Sequence, residues 1–380
     1  MPDDIDNHIL DPNINFAAAF NRTDGARESS LVKSETRKAG RTASELQQNP
    51  TMADVAEQAG VSTMTVSRAL KKDGRVSQKT RDRILEAVNR LGYVLDQSAG
   101  ALSSGRTGFV AALVPSINNS NFSDTARGIT DGLDGSGLQL LLGYTDYATD
   151  KEEMLIESML RRRPEGIILT GGSHSDRARR LLETSAIPVV ETWELPDHPI
   201  DHVVGFSNSQ VMGQLVRELA AKGYRKFGYI GGTTARDTRG SLRRSGFLKA
   251  VEELGLPPGR VISFGVPPIS IEQGAHAIVN MLERWPDTEV VLCVSDLSAF
   301  GALMECQRRG LKVPGDIAIA GFGDYEISAF CHPRITTVNV DCYGIGRFAA
   351  EKLLQAIRGE TTSDNEITLT NYRVVMRESA

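Results

Sequence analysis

The stretch DVAEQAGVSTMTVSRAL, Asp54 to Leu70, decides the first domain of the fold. Two short helical patterns meet at Gly60, with only Val61 and Ser62 before the second begins. Glycine suits the left-handed residue that ends a helix, and a serine oxygen can start the next. Thr51 and Asp54 have the spacing of a capping box, and Val55, Ala56 and Ala59 form an inner stripe. Downstream, Ser77 can cap a third helix, whose Ile84, Leu85, Val88 and Leu91 recur at three- and four-residue steps until Gly92 stops it. On a helical wheel the second helix turns Val66, Ala69 and Leu70 to one side. Thr63, Met64, Ser67 and Arg68 face another way.

A tight helix–turn–helix with a projecting second helix is the geometry that enters the major groove of B-DNA. Short hydroxyls and Arg68 suit base edges and phosphates, and Met64 can pack on a thymine methyl. Lys71, Arg75, Ser77 and Thr80 follow where they can hold the backbone. A small three-helix bundle with solvated hydroxyls is the competing reading. Residues 51–106 hold nine Lys or Arg against six acids, in a chain of net charge −5. A basic module on an acidic body implies that one end meets a polyanion.

The 380 residues suffice for two or three domains. No apolar run reaches the ~20 residues of a membrane helix, and MPDDIDNHIL does not read as an export signal. Cys293, Cys306, Cys331 and Cys342 lack CxxC spacing, which implies reduced, buried thiols in a cytoplasmic protein, with no metal site. Residues 1–50 mix polar types without a period and read as a disordered extension.

From Phe109 onward, short apolar runs alternate with amphipathic stretches. FVAALVP (109–115), LQLLLGY (138–144), GIILT (166–170), IPVVE (187–191), HVVGF (202–206), KFGYIGG (226–232), VVLCVS (290–295) and IAIAGF (317–322) read as buried strands. Strand–helix alternation over about 270 residues predicts an α/β core of two doubly wound lobes with parallel sheets. Ligands of such sheets sit at the strand carboxyl ends. That rule selects Thr170, Glu191, Phe206, Ser207 and Asp296, together with Arg243, which opens a helix after YIGG. Asp can accept from vicinal hydroxyls, and Arg can grip a carboxylate or phosphate; a structural Arg–Asp pair is the alternative.

The spacing D-V-A-x-x-A-G-V-S-x-x-T-V-S-R-x-L closely resembles the DNA-binding domain of the LacI/GalR (lactose-repressor) family. The resemblance implies operator reading by Thr63, Met64, Ser67 and Arg68, and phosphate contacts by Thr65, Lys71, Arg75, Ser77 and Thr80. VSQKTRDRILEAVNRLGYVLDQSAGALSSGRT is similar to the family's third helix and hinge, which makes Leu102 a minor-groove wedge. Leu95 and Asp96 stand where the family commonly has Pro then Asn, and Gly100 lowers helix propensity there.

The implied organisation is a helix–turn–helix domain at 51–97, a hinge at 98–106 and a periplasmic-binding-protein-like core at 107–380. Within the core, the N-lobe would take about 107–207 and 342–367, and the C-lobe about 208–338 and 368–380. The resemblance implies that Arg243 and Asp296 hold a sugar effector, with Phe206 in the cleft wall. MTVSR, SMLRRRPEGIILT, IPVVE, VGFSN and ECQRRGLKVPGDIAIAGF are similar to gluconate-operon repressors within the family, which implies a sugar acid, gluconate or a near relative. A neutral or phosphorylated sugar is the alternative. The family also implies a homodimer on a near-palindromic operator, with no cofactor.

Two rival classes remain at this level. Gly pairs after strands, in YIGGTTARDTRG and LTGGSHSD, offer an enzyme a place to cradle a phosphate, but neither is a G-x-G-x-x-G or a P-loop. There is no G-x-S-x-G or HExxH, so no catalytic residue is expected. A solute-binding protein is the second rival, opposed by the DNA-binding pattern and the lack of an export signal.

Overall fold

The computed structural model describes residues 50–71, 75–95, 106–232, 237–360 and 366–380. The expected disordered extension, and the hinge with its wedge Leu102, lie outside the described residues. The chain divides into two compact units, one ending at Leu95 and one beginning at Asp96.

The first unit holds α1 (Met52–Ala59), α2 (Thr63–Leu70) and α3 (Gln78–Leu91). Thr51 and Asp54 form the capping box of α1, and Gly60 ends it at φ 61°. Ser62 accepts from the Thr65 amide at the start of α2, and Ser77 does the same for Thr80 on α3. Val55, Ala56, Ala59, Val66, Ala69, Ile84, Ala87 and Tyr93 form the core. Leu85, expected inside, is 43% exposed, because Ile84 and Ala87 take the inward positions of α3. Arg81 Nη1 donates to the Ala69 carbonyl at 2.9 Å and ties α3 to the end of α2.

The second unit contains two parallel sheets. One has six strands in the order β11-β5-β4-β3-β1-β2. These are β1 (Phe109–Val114), β2 (Gln139–Tyr144), β3 (Ile167–Thr170), β4 (Val189–Thr192), β5 (His202–Gly205) and β11 (Ile367–Leu369). The other has the order β7-β6-β8-β9, from β6 (Phe227–Gly231), β7 (Arg260–Ser263), β8 (Val290–Cys293) and β9 (Ala318–Ala320). Central strands are buried on both faces, which is why β1, β3, β4, β6 and β8 read as continuous apolar runs. The largest apolar cluster includes Val114, Phe122, Trp193 and Phe206 from the first lobe and Phe227, Tyr229, Phe247 and Phe322 from the second.

All eight strands read from the sequence are present. Four more were not visible there: β7, β11, β10 (Thr337–Asn339) and β12 (Arg373–Val375). Each has only three or four residues, and β7, β11 and β12 are largely unburied, so no apolar run marks them. β11 pairs with β5 in register Ile367↔Val203, so the chain leaves the first lobe only after Leu369. β10 and β12 form an antiparallel pair of their own. Cys293, Cys306 and Cys342 are buried and free; Cys331 is only half-buried. Among the described residues no helix is long and apolar enough to cross a membrane.

Candidate functional site

On α2, Val66 and Ala69 are buried while Thr63, Met64 and Arg68 stand exposed, Met64 at 60%. Thr65 and Ser67 are half-buried at the edges of that face. Lys71, Arg75 and Ser77 are exposed, and Thr80 is half-buried with its hydroxyl 2.9 Å from that of Ser77. An exposed methionine among hydroxyls and a guanidinium is a poor solvent face but a good groove face, since Met can pack on base edges while Arg reaches acceptors.

In the second unit a cleft opens between the lobes at the strand carboxyl ends. Its cavity measures about 50 Å³, and its aromatic wall is Phe122, Tyr147, Trp193, Phe322 and Tyr325. Phe122 meets Trp193 at 5.1 Å between ring centroids. Trp193 meets Phe206 at 6.1 Å and Phe206 meets Phe322 at 6.3 Å. Phe206 is therefore the layer behind the wall. Tyr147, Trp193 and Asp324 have φ of 57°, 70° and 52°. A left-handed non-glycine residue costs about 1–3 kcal/mol and persists where the surroundings require it. Here it turns rings inward after β2 and β4.

Arg243 is the centre of the polar face. Its Nε donates to Asn208 Oδ1 at 2.9 Å and its Nη1 to the Val294 carbonyl at 2.9 Å. The guanidinium lies 3.6 Å over the Phe322 ring, a cation–π contact. Burial lowers its pKa from the ordinary guanidinium value, partly offset by Asp237. It stays charged at any physiological pH. Arg239, one turn earlier on the helix Thr238–Glu253, lines the same cleft and donates to the Thr170 carbonyl at 3.3 Å. Among the described residues neither guanidinium makes an ion pair with a carboxylate. Asp237 is nearby but serves as N-cap, accepting from the Gly240 amide at 3.0 Å.

The other sequence candidates are more dispersed. Asp296 is fully buried beneath the cleft floor. Its two oxygens accept from Thr337 Oγ1 at 2.6 Å and from the Tyr325 amide at 2.8 Å. Burial pushes its pKa up to about 6, against the pull of those hydrogen bonds. Glu191 is buried on β4 and accepts from the Ile200 amide at 2.6 Å. Ser207 caps the helix Asn208–Ala221. Thr170 faces a neighbouring cavity. The structure thus brings Arg243 to the cleft, with Phe206 and Asp296 one layer back.

Sequence reasoning missed Asn208, Asn119, Asn121, Tyr147, Trp193 and Tyr325. Asn208 is the most telling: it donates to the Trp193 carbonyl at 2.9 Å while accepting from Arg243, and so positions both. The signal was present, because Tyr147, Trp193, Asn208 and Tyr325 all follow strands. Which residue in each connection turns inward depends on backbone angles that the sequence does not display.

A small head that turns a polar helix face to solvent, in one chain with a two-lobed α/β core that carries a cleft, is the architecture of a DNA-binding transcriptional regulator. Comparison with known proteins bears on which kind. Residues 51–96 match the family described as bacterial regulatory proteins, lacI family, and residues 216–380 match the periplasmic binding protein-like domain. The chain is 37% identical over 331 residues to the HTH-type transcriptional regulator GntR of Pseudomonas aeruginosa, covering 87% of this chain and 95% of that one. It is 34% identical over 320 residues to the GntR regulator of Escherichia coli K12, covering 84% and 96%. The solved structure of a LacI family transcriptional regulator from Silicibacter pomeroyi matches with TM-score 0.79 at 33% identity, covering 87% of this chain and 99% of that one. The chain belongs to the LacI family of bacterial transcriptional regulators, which act by binding DNA and are not enzymes.

Proposed function

We propose that this chain is a homodimeric repressor of sugar-acid catabolism genes, acting in the bacterial cytoplasm on near-palindromic operators of the nucleoid. A gluconate-like acid bound between the lobes controls its grip. The face Thr63, Met64, Ser67 and Arg68 reads bases, with Thr65, Lys71, Arg75, Ser77 and Thr80 on phosphates. Two modest heads on one dimer gain affinity through effective concentration, and two-fold symmetry matches an operator of two half-sites.

The observation that carries the effector reading is the pair of buried guanidiniums, Arg239 and Arg243, which among the described residues make no ion pair with a carboxylate in an aromatic-lined cleft. Asp237 is the one acid among the described residues that line this cavity and it is engaged at a helix N-cap, so two buried cations face a single carboxylate and the site favours an anionic ligand. Aromatic faces suit the C–H surfaces of a sugar skeleton, and Asn119 and Asn121 can pair with hydroxyls. The segments that resemble gluconate-operon repressors point to a sugar acid. The ligand would compete for the contacts that join the lobes, including Arg239 to the Thr170 carbonyl and Thr238 to Glu194 at 3.2 Å. Coupling of about 1–3 kcal/mol between two sites is typical of such proteins.

Gel retardation of operator fragments, with and without gluconate, tests this reading. Release of a specific complex by gluconate supports it; equal affinity for all duplexes at every acid concentration refutes it.

A further inference from the structure

The cleft does not end at Tyr147 and Arg239. Beyond them lies a second cavity of about 90 Å³, lined by Thr145, Thr149, Glu152, Thr170 and Ser173 among others. Tyr147 and Arg239 line both cavities and form the partition between them. The two chambers differ in chemistry. The first is ring-faced and holds two guanidiniums against the single carboxylate of Asp237. The second is lined by hydroxyls and a single carboxylate.

Among the described residues no protein group hydrogen-bonds the side-chain hydroxyls of Thr145, Thr149, Thr170 or Ser173, and Thr145 and Thr170 are half-buried. Glu152 is nearly buried; His174 Nδ1 takes its Oε1 at 2.8 Å, and its other oxygen remains an acceptor. Half-buried hydroxyls around a carboxylate match the donors and acceptors of a polyol. Arg239 spans the partition: it reaches the Thr170 carbonyl at 3.3 Å, and its guanidinium lies 5.8 Å from the centroids of both the Tyr147 and the Phe122 rings.

We propose that the two chambers are one bipartite site selective for an open-chain sugar acid. This rests on the sugar-acid reading above and sharpens it. The carboxylate is held by Arg243 and Arg239. The carbon chain passes the partition, and its distal hydroxyls pair with Glu152, Thr145 and Thr170. Each chamber is well below the ~300 Å³ of an ordinary ligand pocket, so a thin flexible chain fits the pair better than a sugar ring does.

Calorimetric titration of the full-length protein tests this with three acids: gluconate, a six-carbon open chain; glycerate, a three-carbon open chain; and glucuronate, a ring. Gluconate binds at least about tenfold tighter than either of the others, as expected when a site built to hydrogen-bond hydroxyls meets a ligand that fills it. Thr145→Val and Thr170→Val, nearly isosteric, each weaken gluconate by about tenfold and glycerate by less than about twofold. Glu152→Gln follows the same pattern, with its melting curve reporting on folding. Glucuronate binding as tightly as gluconate, or valine variants that weaken both open-chain acids equally or neither, overturns the bipartite site. If Arg243→Ala abolishes gluconate binding while the valine variants leave it intact, the second chamber alone is refuted. If no acid binds the wild-type protein, the sugar-acid reading falls, and this inference with it.

Discussion

Arg243 is held by an amide oxygen, a carbonyl and an aromatic face, and by no carboxylate. Asp237 bears on that charge from nearby but is engaged as a helix N-cap, so on the proposed reading the guanidinium is available to an anionic ligand. Arg243→Ala should leave operator retardation intact and abolish its response to gluconate; a response of normal size would remove Arg243 from the site. His174 carries a second residue-scale prediction. Its Nδ1 meets Glu152 at 2.8 Å and its Nε2 stands 3.4 Å from Glu191, with the side chain 1% exposed. Burial pulls its pKa down, but the two carboxylates outweigh that and carry it to about 9. A histidine whose folded pKa exceeds its unfolded value near 6.5 stabilises the fold fully below that value, and the contribution is lost as pH rises through 9. The melting temperature should therefore fall between pH 6.5 and 9.5, and His174→Gln should flatten that slope. Asp296 acts in a different window, since its raised pKa lowers stability as pH climbs from about 4 to 6. The sequence displayed His174 as one scattered histidine among several, because its two partners lie 22 and 17 positions away on other elements.

At the scale of elements, α2 is the legible one. Its cap, its inner stripe and its exposed face all follow from local spacing, since a helix repeats every 3.6 residues whatever surrounds it. Arg68→Ala should lower specific operator affinity by about 2 kcal/mol, with the head still folded by circular dichroism; undiminished sequence preference would contradict the recognition face. The helix pair Ser120–Gly132 and Cys342–Ile357 was not legible. These helices are more than two hundred residues apart and approach closely because Gly128 and Gly346 lack side chains. A methyl at Gly346 would meet the Thr125 carbonyl. Gly346→Ala should destabilise the core by about 1–3 kcal/mol, read as a lower denaturant midpoint. The short strands β7, β10, β11 and β12 escaped for a related reason. Their pairing comes from neighbours brought by the chain crossings, not from any apolar run of their own.

At the scale of the whole molecule, the uneven charge divides the labour between a basic head and an acidic remainder. Residues 1–50 hold six bases against eight acids, so they have no net positive charge with which to displace counterions from DNA. Deleting residues 1–45 should change operator affinity by less than about threefold in retardation assays; a large loss would make that segment a DNA-binding arm. The sequence by itself determined the head, the class of core and the family, because caps, helical periods and buried parallel strands are local signals repeated at every turn or strand. Only the tertiary structure decided which strand-end residues form the cleft. It set Phe206 and Asp296 behind the surface, brought Asn208 to Arg243, and turned Tyr147 and Trp193 inward through left-handed backbone angles. A ligand site is a convergence of side chains from connections distant in sequence, and spacing along the chain carries no record of that convergence.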